Sequence, residues 1–83
     1  MKVEREGDVV HLSGHCRVED AEALAALLQT SGSVSVDVSA CDSLHAAVVQ
    51  VLLAFRARVV GAPAEPFLRS HLVPALARNA TAD

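Results

Sequence analysis

VDVSACDSLHAAVVQVLLAF, Val36 to Phe55, decides the fold. Its start continues an alternation of Val34, Val36 and Val38 against Ser33, Ser35 and Asp37, the period of a strand buried on one face. Ser39 to Ser43 is rich in side chains that hydrogen-bond nearby backbone, which predicts a loop and a helix cap. From about Leu44 to Arg56 the period becomes helical, with Leu44, Ala47, Val48, Val51, Leu52 and Phe55 on one stripe. Ala46, Val49, Gln50, Leu53 and Ala54 lie off that stripe, and among them only Gln50 is strongly polar. A helix apolar nearly all round is buried on both sides or covers a binding surface.

Toward the amino terminus, Val18 to Thr30 reads as a second amphipathic helix, with Val18, Ala21, Leu24, Ala25 and Leu28 on one side. Glu19, Asp20 and Glu22 crowd its first turns, where negative charge complements the helix dipole, and Gly32 is the expected stop. Gly14 to Arg17 is expected to be a loop. Before it, Val3 to Glu6 and Val9 to Ser13 are strand-like runs around Gly7-Asp8, which suits a type II′ hairpin turn. Val10 and Leu12 are expected in the core, with His11 and Ser13 turned the other way.

Toward the carboxyl terminus, Ala57 to Val60 is a short strand stopped by Gly61-Ala62-Pro63. A third helix starts near Pro66, with Phe67, Leu68, His71, Leu72, Ala75 and Leu76 on one side. Pro74 lacks a backbone donor and predicts a kink around residues 70 to 73. Residues 78 to 83 read as a frayed tail. The order β-β-α-β-α-β-α implies an α/β fold: a hairpin, then right-handed parallel crossovers, giving a small four-stranded mixed sheet with three helices.

The chain of 83 residues reads as one domain, 1–83. It has two Phe, no Tyr, no Trp and a formal net charge of -3, so neither a base-stacking platform nor a basic patch for nucleic acid is available. No apolar run approaches the ~20 residues of a membrane span, and MKVEREGD lacks the apolar core of a secretory signal. Two cysteines, Cys16 and Cys41, do not make a disulfide framework, and a cytoplasmic protein with free thiols is the expectation.

The element order and the central segment resemble the STAS domain. That family includes anti-sigma-factor antagonists and the small cytoplasmic subunit of the Mla phospholipid transporter. Its signature is an apolar strand ending in Asp-Leu-Ser-Gly, a few residues, then Asp-Ser-x-Gly-Leu opening an apolar helix. Here Val36-Asp37-Val38-Ser39-Ala40 matches the strand end, and His45-Ala46-Ala47-Val48-Val49 occupies the second place. Arg58 to Pro63 looks like the last strand and loop, so the resemblance covers about residues 3 to 77. It implies a non-catalytic regulatory domain that docks a protein partner through helix 44–56 and the loop before it. The implied partner is an anti-sigma or kinase-like regulator, or a transporter ATPase subunit.

Many family members are phosphorylated on a hydroxyl at the start of that helix. The matching places here hold Ala46 and Ala47, so no phospho-switch is expected at the usual position. A second register places Asp42-Ser43 on the motif, which leaves Ser43 as the lesser candidate. The partner surface expected on this basis is Asp42, Ser43, His45, Ala46, Val49, Gln50 and Leu53. Self-association through the same helix is the other use of such a surface.

No cofactor or metal is part of the favoured reading. The alternative is a small metal- or ligand-binding regulator using His15, Cys16, Cys41 and His45. These residues leave the ends of two parallel strands on the same side, and thiolate and imidazole suit Zn²⁺. Ser13 to Cys16 offers nucleophiles, but no base and orienting group accompany them, and no enzyme is expected.

Overall fold

The computed structural model describes residues 2–31 and 33–81; Gly32, the expected stop of the first helix, lies outside them. β1 (Lys2–Glu6) and β2 (Val9–Cys16) form the hairpin, followed by α1 (Val18–Ser31), β3 (Ser35–Leu44), α2 (Ala46–Ala54) and β4 (Arg58–Val60). A π-helical turn over Leu68–Leu72 then leads into α3 (Val73–Thr81). The sheet order is β1-β2-β3-β4, with β1 antiparallel to β2 and the pairs β2–β3 and β3–β4 parallel. The α/β class and mixed four-stranded sheet are those the sequence predicts.

The hairpin turn has φ +59° at Gly7 and no positive φ at Asp8, the type II′ pattern. Because both crossovers step in the same direction across the sheet, right-handed connections put α1 and α2 on one face, where they pack against each other. α3 packs on β4 and on the flank of α2. The core lies between this helix layer and the sheet, and includes Val10, Leu12, Leu24, Val36, Val38, Val48 and Leu52. Aliphatic side chains of modest size fill it, as a thin two-layer fold requires. The opposite face carries the row Glu4, His11, Asp37 and Val60, one residue from each strand.

Two boundaries depart from the sequence reading. Ser39 to Ser43 is not a loop, and β2 does not stop at Ser13. β3 continues to Leu44, pairing with β2 as far as Cys16. β3 takes an extra residue against β2 between His11 and Ser13, and another between Gly14 and His15. Each such bulge shifts the inward phase by one residue. Val36, Val38 and then Cys41 are therefore the buried positions of β3. Accordingly α2 begins at Ala46 rather than Leu44, and ends at Ala54 with Phe55 as its C-cap.

The third helix starts as expected but is phased differently. Glu65 accepts the Leu68 N–H through its carboxylate at 2.8 Å and the Arg69 N–H through its carbonyl. The Val73 N–H reaches back to the Leu68 carbonyl, the wide bond of a π turn. This turn sits directly before Pro74, which has no N–H to give to an α-helical bond. Leu68 and Leu76 are buried and Leu72 half-buried, whereas Phe67, His71 and Ala75 are exposed. The expected stripe of six thus narrows to every fourth residue. Of the tail expected over 78–83, Arg78 to Thr81 belong to α3, and residues 82 and 83 lie outside the described residues.

Candidate functional site

The carboxyl ends of β2 and β3 come together at one edge of the molecule, and each strand passes into its helix through a single residue. Arg17 links β2 to α1, and His45 links β3 to α2. Both links are caps. The Arg17 N–H donates to Asp20 Oδ2 at 2.8 Å, so the third helical residue reaches back over the helix start. The Ala47 N–H donates to His45 Nδ1 at 3.0 Å, satisfying one of the orphan donors of α2. The His45 N–H also donates to the Cys16 carbonyl at 2.7 Å, which extends the β2–β3 ladder to the foot of the helix.

His15 Nδ1 lies 2.9 Å from Ser43 Oγ, and both side chains are exposed. Asp42, Ser43 and His45 therefore form a polar rim leading into α2. Along α2, Ala46, Gln50, Leu53 and Ala54 are exposed, while Val49 is half-buried against the core. Leu53 retains 36% of its surface. The Asn79 side chain donates to the Leu53 carbonyl at 3.3 Å, so α3 borders the outward stripe without covering it. Of the seven residues expected at a partner surface, six are exposed on consecutive elements and Val49 is the partial exception.

His15, Cys16, Cys41 and His45 share this end of the sheet, but their side chains diverge. The imidazoles turn to Ser43 and to the α2 backbone, while the cysteines turn inward. Among the described residues no three His, Cys, Asp or Glu side chains converge as a metal site. Cys16 Sγ and Cys41 Sγ lie 3.5 Å apart, both thiols buried, and Cys41 also donates to the Leu12 carbonyl. The hydrogen bond shared with Cys41 holds the Cys16 thiol below its ordinary pKa, against the opposing effect of burial. The same hydrogen bond, with burial, pushes Cys41 strongly up.

A second polar pair lies on the open face of the sheet. His11 Nδ1 is 3.1 Å from Asp37 Oδ2, and Asp37 Oδ1 accepts the Ser39 N–H at 2.9 Å. Asp37 is thus built into the first bulge of β3. His11 is not among the expected site residues; its outward position in β2 is the signal that the sequence carries for this pair. A depression of about 500 Å³ lies at the opposite end of the parallel strands, lined by residues including Asp8, Leu28, Phe55, Arg56 and Arg58. It contains none of the expected site residues.

Comparison with protein-family models, with curated proteins and with solved structures finds no match. Among the described residues no helix is long and apolar enough to cross a membrane.

Proposed function

We propose that this chain is a cytoplasmic, non-catalytic docking domain of the STAS type that binds a protein partner through the rim at Asp42, Ser43 and His45 and the outward stripe of α2. The observation that carries this reading is the exposure of Leu53, with Ala46, Gln50 and Ala54, on a helix that follows the rim without a loop. The partner class is an ATP-binding anti-sigma or kinase-like regulator, with a transporter ATPase subunit as the second member of that class. Ala46 and Ala47 stand where a phosphorylated hydroxyl would act, so binding is constitutive rather than phospho-switched at that place.

The energetics favour a transient complex. Leu53 is already about two-thirds covered, so its complete burial adds only about 0.5–1 kcal/mol. The rest must come from the polar rim and the small side chains around it, which allow close backbone approach.

A photo-crosslinking residue at Leu53, compared with one at the exposed Glu22 on α1, tests the surface in living cells. The expected result is a covalent product with an ATP-binding regulator or ATPase subunit from position 53 and none from position 22. Equal products from both positions, or none from position 53, overturns the surface. A product containing only a second copy of the chain replaces the foreign partner with self-association.

A further inference from the structure

We propose that Cys16 and Cys41 are a redox modification site, closing to a reversible intramolecular disulfide by exchange with a low-molecular-weight disulfide. The two residues are 25 apart in sequence, yet their sulfurs touch at 3.5 Å across the β2–β3 pair. To bond, they must approach by about 1.5 Å, to the ~2.05 Å of a disulfide. That movement falls where β3 is already bulged against Gly14 and His15, the least regular part of the ladder.

The surroundings assign the order of events. Cys16 is the last residue of β2, beside the amino terminus of α1, and its carbonyl holds the first residue before α2. Two helix amino termini therefore open at this end of the sheet, and their partial positive charge favours a thiolate. Cys41 is as deeply buried as Cys16, and its thiol is directed at the Leu12 carbonyl rather than at a helix start. The lowered pKa of Cys16 and raised pKa of Cys41 agree with this assignment.

The Cys16 thiolate attacks one sulfur of the small disulfide. A mixed disulfide forms and one small thiolate leaves. Cys41 then gives up its proton and attacks the Cys16 sulfur, which expels the second small thiol. The protein dithiol loses two electrons and two protons, and the small disulfide gains both and becomes two thiols. Because each cysteine is only 2% exposed, the first step waits on local opening of the β2–β3 end, and the reaction is slow and reversible.

The test uses the full chain, reduced and then equilibrated with oxidised and reduced glutathione, and reads intact mass. The expected product has lost two hydrogen masses, carries no adduct, melts higher and returns to the dithiol with reductant. Holding the bond in the folded chain is expected to withstand roughly tenfold more reducing buffer than in the urea-unfolded chain, equivalent to about 30 mV. Cys41→Ser is expected to stop at a glutathione adduct on Cys16, and Cys16→Ser to react more slowly. A folded wild type that stays fully reduced, stops at the adduct or forms linked dimers overturns the proposal. So does a bond no more stable in the folded chain than in urea.

Discussion

Asp37 and Gly61 are in mutual contact distance across the β3–β4 edge, so that a Cβ at position 61 would lie 2.5 Å from Asp37 Oδ1 and 2.8 Å from the Ser39 nitrogen. Gly61 has φ +98°, a conformation side chains rarely adopt. The carboxylate that organises the first bulge of β3 thus needs a residue without a side chain after β4. Gly61→Ala is expected to destabilise the fold by about 1–3 kcal/mol. The check is a lower urea midpoint at unchanged slope; an unchanged midpoint would show that the Asp37 turn does not depend on this approach.

Asp37 also gives the fold an acid limit. The Ser39 N–H, then the Ser39 hydroxyl and then His11 hold its carboxyl below the usual carboxylate range. A depressed folded pKa contributes stability above the unfolded value near 3.9, and that contribution is lost as pH falls through the folded value. Asp37→Asn keeps an acceptor for Ser39 but removes the titration. The stability of the variant, followed by urea unfolding, is expected to fall less than that of wild type between about pH 5 and pH 3. Superimposable profiles would place the acid sensitivity elsewhere.

His45 joins β3 to α2 and caps the amino terminus of α2 with its side chain, through Nδ1 and the Ala47 N–H. His45→Ala is expected to lower stability by about 1 kcal/mol, whereas His45→Asn, whose carbonyl can take the same donor, recovers most of it. Thermal melts of the three proteins decide this. Should Asn fall as far as Ala, the backbone bond from His45 to Cys16 carries the link and the ring does not.

The layer architecture was legible because its signals are local. Gly7-Asp8 specifies the turn, the α1 stripe specifies a helix, and Val34, Val36 and Val38 specify a strand. Pro74 announced a break, although not the π turn that accommodates it. The continuation of β3 through Ser39 to Leu44 was not legible, because two bulges abolish the alternation that marks a strand. The same bulges hide the site. Whether Cys16 meets Cys41, and His15 meets Ser43, depends on cross-strand register, which residues more than 20 positions apart do not encode in any local pattern. The outward stripe of α2 was legible except at Val49, whose burial depends on how closely the neighbouring helices pack.

Leu52 and Leu53 separate core from surface within two adjacent residues, at 1% and 36% exposure. Leu52→Ala removes a fully enclosed side chain from between α2 and the sheet and is expected to cost about 2–5 kcal/mol, with the size set by how far the cavity collapses. For a domain of ordinary stability, about 5–15 kcal/mol, that is a large share. Leu53→Ala removes a side chain that already meets water and is expected to cost less than about 1 kcal/mol. Urea unfolding of the two variants measures the contrast. A large loss at Leu53 would mean that α3 relies on it as core, and a charge placed there could no longer report on docking alone. With the expected asymmetry, Leu53→Asp stays folded while presenting a charge to any partner, and its effect on binding belongs to the surface rather than to the fold.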